Sequence, residues 1–161
     1  MIELYLLRHA HAGDAGAWDG PDDRRPLSVR GVGQAERLGR FLADIGFETD
    51  AIITSPKARA AQTAQIVAER LGKPVSEDEG LADGVTIGRL EAVLRAAGDP
   101  RQAVVVGHDP DFSELVASLC DAARVPMKKG ALARVDVARP LEPGGGTLRW
   151  LVPPDLLRRE R

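Results

Sequence analysis

Residues 103–110, AVVVGHDP, join an unbroken apolar run to a glycine, a histidine, an acid and a proline. Four consecutive apolar residues bounded by turn formers read as a strand covered on both faces. Asp is a good helix cap and proline suits a first helical position, so a helix is expected to start at Asp109-Pro110. Phe112, Leu115, Val116 and Leu119 follow at helical spacing. The same design occurs earlier. AIIT (51–54) runs into Ser55-Pro56, then into an apolar stripe of Ala61, Ala64, Val67, Ala68 and Leu71 closed by Gly72.

Outward from these two junctions the alternation continues. IELYLLR (2–8) is nearly all apolar, as a buried strand should be. Ser28 can cap a helix whose face carries Ala35, Leu38, Leu42 and Ile45, ending at Gly46. Val75 is expected in a minor strand, followed by an irregular acidic segment, SEDEGLADG (76–84). Ile87, Leu90, Leu94 and Ala97 mark a third helix. ARVDV (133–137) and TLRWLV (147–152) alternate apolar and polar residues around a GGG turn, which predicts a C-terminal antiparallel pair. Strands alternating with helices predict an α/β fold, a three-layer α/β/α arrangement with a mostly parallel sheet. The tail RRER (158–161) reads as a solvated end.

With 161 residues, 43% hydrophobic and 29% charged, the chain fits one domain over residues 1–161. The single Cys120 excludes an internal disulfide framework and a four-thiolate zinc site. A net charge of -2 argues against nonspecific nucleic-acid or membrane binding. There is no secretory signal pattern at MIELYLLRHA and no apolar stretch near the roughly 18 residues of a membrane span. A cytoplasmic protein is therefore expected.

Arg8-His9 ends the first strand, Arg59 lies in the first turn of the second helix, and His108 ends the AVVV strand. In open α/β sheets ligands bind at the carboxyl ends of the strands, and helix N-termini there favour anions. Arginine forks suit phosphate or carboxylate oxygens, while a histidine can accept a phosphoryl group and a second can stabilise charge. Each residue alone could merely cap or pair locally. A different reading takes His9, His11, Asp14 and His108 as a catalytic metal cluster, although two arginines would then place positive charge beside a cation. A phosphate-binding module without turnover is a third.

Four segments decide among these readings by resemblance. LLRHAHA (6–12) resembles the Arg-His-Gly motif of the histidine phosphatase superfamily, the phosphoglycerate mutase-like group. TSPKARAAQT (54–63), VVVGHDP (104–110) and RPLSVRGVGQAERL (25–38) are similar to further segments of that family, in order and at compatible spacing. The short remainder is most similar to SixA-type phosphohistidine phosphatases. The resemblance implies a phosphatase of phosphoglycerate mutase-like fold. His9 would be the nucleophile, forming a phosphohistidine that water hydrolyses. Arg8 and Arg59 would grip the phosphoryl oxygens, and His108 would donate to their developing charge. No metal or other cofactor is implied. The His9 nitrogen that does not attack needs a partner, and a nearby backbone carbonyl is expected.

Three positions depart from the family pattern. Ala10 replaces the motif's glycine, His11 stands where larger enzymes have Glu, and Asp109 stands where Asn is frequent. His11 is read as a rim residue that could touch substrate, and Asp109 as a helix cap. Larger members supply a carboxylic acid for the leaving group, for which Asp83 is the best positional match, ahead of Glu79. A weak acid would favour phosphoramidates, since imidazole leaves more easily than an alkoxide. The loop AGDAGAWDGPDDRRP (12–26) is long enough to be functional. Trp18, Arg24 and Arg25 could meet a substrate there, though the arginines more simply balance Asp22 and Asp23. The expected partner is a phosphorylated substrate, with a phosphohistidine-bearing protein favoured over a small phosphoester. Mutase activity would need a closed pocket that this short chain does not provide.

Overall fold

The structure is a computed structural model and describes residues 1–158; of the tail RRER, residues 159–161 lie outside the described residues. β1 (Ile2–Arg8), β2 (Ala51–Thr54), β3 (Ser76–Glu77), β4 (Gln102–Gly107), β5 (Leu132–Val137) and β6 (Gly146–Val152) form one sheet in the order β3-β2-β4-β1-β5-β6. The pairings among β3, β2, β4 and β1 are parallel, whereas β5 runs antiparallel to β1 and β6 antiparallel to β5. The expected mixed α/β sheet and its terminal antiparallel pair are therefore present. The minor strand falls at Ser76–Glu77, one residue beyond Val75, because backbone pairing with Ile53 and Thr54 sets it.

Four helices cover the sheet: α1 (Val29–Asp44), α2 (Ala58–Leu71), α3 (Ile87–Ala96) and α4 (Asp111–Leu119). The central strands are buried on both faces because successive side chains point to opposite sides. Tyr5, Leu7, Val104 and Val106 pack with Leu38 and Leu42 of α1 and with Ala64 and Val67 of α2. Leu4, Leu6, Ala103 and Val105 pack with Leu90 and Leu94 of α3 and with Phe112 and Val116 of α4. The helices thus change faces between α2 and α3. The chain leaves room between β1 and β2 that β4 later fills, and the cleft of such a fold opens at the carboxyl ends of these strands.

Two glycines permit the close approaches that shape that end. A Cβ on Gly107 would lie 2.6 Å from the Phe112 ring, which is fully buried under β4. A Cβ on Gly31 would lie 1.9 Å from the His11 carbonyl oxygen, so only glycine lets the first turn of α1 abut the loop after β1. Ser28 caps α1 as expected, accepting from Gly31 N, and Gly72 closes α2 in the left-handed region at φ 65°.

The two Pro junctions differ from their expected form. α2 begins at Ala58 and α4 at Asp111, so neither proline occupies the first helical position. Ser55 and Asp109 lie just ahead of the helices and turn their side chains to other work.

Candidate active site

β1 continues one residue past its end, since His9 N donates to Gly107 O at 2.9 Å. Arg8 is paired in register with Gly107, so Arg8-His9 lies alongside Gly107-His108. The two imidazole centroids are 5.3 Å apart with planes tilted by 55°. Arg59 is carried to the same edge by a short relay. Ala10 N donates to Thr63 Oγ1 at 3.1 Å, and Thr63 Oγ1 donates to the Arg59 carbonyl at 2.7 Å. Arg8, His9, Arg59 and His108 therefore meet at one end of the sheet, as the strand ends predict.

His9 is buried, and its Nδ1 sits 2.7 Å from the Ala10 carbonyl oxygen. A carbonyl only accepts, so Nδ1 carries the hydrogen and Nε2 keeps its lone pair. The expected backbone partner is thus Ala10 O. Burial pushes the His9 pKa down to about 4 against the opposing Ala10 hydrogen bond, with smaller repulsions from Arg59, Arg8 and Lys129 acting in the same direction as burial. The His108 pKa falls to about 3 through burial first, then His9, Arg59 and Lys57. Both rings are neutral at pH 7.

His108 Nε2 lies 2.8 Å from Ser55 Oγ. Ser55 Oγ accepts from Lys57 N at 3.2 Å, and in the tautomer that suits an incoming anion its hydroxyl donates to His108 Nε2. The ring hydrogen then resides on Nδ1, a buried atom with no protein partner among the described residues. Arg8 Nε and Arg59 Nε share that condition. A buried donor left unpaired costs about 1–3 kcal/mol. Three such donors drawn from these four residues suit an anion offering several oxygens, such as a phosphoryl group.

Other guanidinium nitrogens of the two arginines are held by the protein. Arg8 Nη1 donates to Met127 O at 2.7 Å and lies 3.4 Å from Asp109 Oδ2. Asp109 also accepts from Ser113 N and Ser113 Oγ. It therefore serves α4 from just outside the helix and pairs with Arg8, a contact the cap reading did not include. Arg59 Nη1 donates to Asp22 O at 2.9 Å, and Nη2 pairs with Asp22 Oδ2 at 3.2 Å. Asp22 also pairs with Arg25 Nε at 3.1 Å, the balance expected for that loop. Its hold on Arg59 has no signal in the sequence, because the loop folds back over 37 residues of chain separation. Trp18 is partly exposed and donates to Pro21 O.

Asp83 stands at the rim, mostly exposed, with Oδ1 2.6 Å from Lys57 Nζ. That hydrogen bond, before any more distant charge, holds its pKa below the ordinary value. As placed, Asp83 is engaged by Lys57 at the rim. Glu79 is exposed on the 3-10 turn Glu79–Leu81.

His11 makes its own contacts on the loop after β1. Its Nδ1 lies 2.7 Å from Ser28 Oγ and accepts from Gly13 N at 3.3 Å, while its backbone N donates to Gln34 Oε1. Burial lowers its pKa, followed by the charges of Lys129, Arg30 and Arg25. Asp14 caps its own 3-10 turn by accepting from Gly16 N. His9, His11, Asp14 and His108 therefore do not assemble the cluster of the metal reading, and no group of three or more potential ligating residues of that kind converges among the described residues. Among the described residues no helix is long and apolar enough to cross a membrane.

The model of the histidine phosphatase superfamily (branch 1) matches residues 4–118, which hold all four convergent residues. The chain belongs to this superfamily. It is 30% identical over 158 residues to the phosphohistidine phosphatase SixA of Escherichia coli K12, covering 95% of this chain and 94% of that protein. Among solved structures it is similar to the protein histidine phosphatase SixA complexed with tungstate. That likeness has a TM-score of 0.82 at 27% identity, over 98% of this chain and 100% of that one. The α-ribazole phosphatase of Shigella flexneri shares the fold at 20% identity and a TM-score of 0.71, over 93% and 96% of the two chains. The superfamily member described here is a phosphatase, with a SixA-like, phosphoglycerate mutase-like architecture.

Proposed function

We propose that this phosphatase hydrolyses phosphohistidine on a protein through a covalent intermediate on its own His9. The His9 Nε2 lone pair attacks phosphorus, and the bond from phosphorus to the substrate imidazole breaks. Arg8 Nε, Arg59 Nε and His108 Nδ1 donate to the phosphoryl oxygens as charge builds on them. Water then attacks phosphorus on His9, releasing inorganic phosphate and restoring the ring. The proton lost by that water leaves with phosphate or solvent.

The observation that carries the substrate class is the state of Asp83. An alkyl phosphate needs a proton on its leaving oxygen, and the carboxylate best placed to supply one is tied to Lys57 at the rim. Phosphohistidine needs no such acid in the pocket. Its far ring nitrogen takes a proton from water near neutral pH, and the substrate then leaves as neutral imidazole. Similarity to the Escherichia coli phosphohistidine phosphatase along nearly the whole chain supports the same reading.

The test compares kcat/KM for a phosphohistidine protein with that for small phosphoesters, alongside trapping of ³²P on the enzyme. The expected result is a preference for phosphohistidine and a label that disappears in His9→Ala. A preference for phosphoesters would overturn the substrate, and an unlabelled active enzyme would overturn the covalent route.

A further inference from the structure

A surface cavity of about 460 Å³ opens beside the catalytic residues rather than over them. Arg8 and His11 belong to its wall, which joins it to the reaction site. The rest comes from three separated segments: α1, the turn at 127–130, and the stretch 154–158. Six cationic residues line it against one carboxylate, Asp155, in a protein whose net charge is -2.

The charge of this groove is largely unspent. Among the described residues Asp155 reaches only Lys128, at 4.0 Å. Arg30, Arg37 and Lys129 form no ion pair among the described residues, and Arg37 Nε is buried without a hydrogen-bond partner. Elsewhere Arg134, Arg139 and Arg149 each meet a carboxylate within about 3 Å. Arg30 also sits in the first turn of the 16-residue α1, where the helix dipole adds positive potential.

We infer that this groove binds an acidic segment of the protein substrate, flanking its phosphorylated side chain. This rests on the proposed function and specifies the kind of protein it favours. Arg30 and Arg37 are seven residues apart on α1, about 10 Å along the axis. A cationic row of that length matches carboxylates spread along a peptide and exceeds what one phosphate spans. The lining holds no Phe, Tyr or Trp, so it offers no aromatic platform for a nucleoside base. Side chains that remain unpaired keep their field available to an incoming partner, and a charged rim raises the rate and selectivity of encounter.

The decisive measurement is binding, which is independent of turnover. Two fluorescent phosphoserine peptides, identical except that flanking Asp residues in one are Asn in the other, are titrated into His9→Ala enzyme. The acidic peptide is expected to bind at least tenfold tighter at low salt. The preference should collapse toward unity in 0.5 M salt and in a variant also carrying Arg30→Gln and Arg37→Gln. Arg30→Lys with Arg37→Lys should keep most of it. Equal affinities, or a preference that survives the Gln substitutions in a variant with unchanged circular dichroism, would overturn the inference. Inorganic tripolyphosphate should bind parent and Gln variant within about twofold; a much larger loss would make the groove a polyphosphate site and displace the peptide. Failure of the proposed chemistry would appear separately, as absent turnover of phosphohistidine and p-nitrophenyl phosphate with these binding ratios intact.

Discussion

The catalytic edge and the neighbouring groove share Arg8 yet manage positive charge in opposite ways. At the edge, cations are held by carboxylates: Arg8 by Asp109, Arg59 by Asp22, and Lys57 by Asp83 and Asp23. The two arginine contacts use outer nitrogens and leave Nε of Arg8 and of Arg59 unpaired among the described residues. In the groove, Arg30, Arg37 and Lys129 are unmatched among the described residues. The difference separates two uses of the same charge. Paired arginines are fixed in place, which suits recognition of reacting oxygens that must be met in one geometry. Unpaired ones keep side-chain freedom and long-range field, which suits loose docking of a flexible segment.

The comparison breaks most visibly at His9. His9→Ala should lower kcat by 10³-fold or more, since the nucleophile is gone; a loss under tenfold would place the chemistry elsewhere. Next comes Arg59→Lys, which keeps the charge and discards the fork. A loss of about 10²-fold in kcat/KM is expected, and near-normal activity would show that charge alone suffices at the edge.

The buried rings make a different demand. An unfolded histidine binds its proton near pH 6.5, whereas folded His9 and His108 do so near 4 and 3. Below about pH 6.5 the unfolded chain takes up protons that the folded one refuses, so stability falls as pH drops toward 4 and is unaffected above 7. His9 alone accounts for a loss on the order of 3 kcal/mol across that window. Urea midpoints measured from pH 7 to pH 4 should decline less steeply in His9→Gln. Parallel slopes would mean that the rings are not held neutral.

Asp22→Asn tests the paired side of the contrast more gently. Asp22 is half exposed, so removing its charge should tighten inorganic phosphate binding only about two- to fivefold. Weaker binding instead would show that Asp22 positions Arg59 more than it competes with phosphate. The smallest effect belongs to Asp83→Asn, expected to change phosphohistidine turnover by less than about threefold. A loss above tenfold would restore Asp83 as the acid.

Much of the site is legible because strand ends and helix starts follow local pattern. AVVV and IELYLLR are short apolar runs, and Arg8, His9 and His108 fall where each run stops. What they touch is less legible. Ser55 reads as a cap, yet it holds His108, because β2 and β4 pair and bring residues 53 apart into contact. His11 reads as a rim residue, and its link to Ser28 is less legible, because Gly31 lets α1 come close enough to bring Ser28 Oγ within 2.7 Å of its Nδ1.

By itself the sequence determined the alternation of strands and helices, the buried character of the central sheet, and which residue types stand at its carboxyl edge. Those follow from side-chain periodicity and capping, which act over a few residues. The tertiary structure decided which donors are left unpaired, which nitrogen of His9 is free, that Lys57 holds Asp83, and that a basic groove exists. Each depends on residues far apart in the chain, where packing and electrostatics set the partner and no local pattern records it.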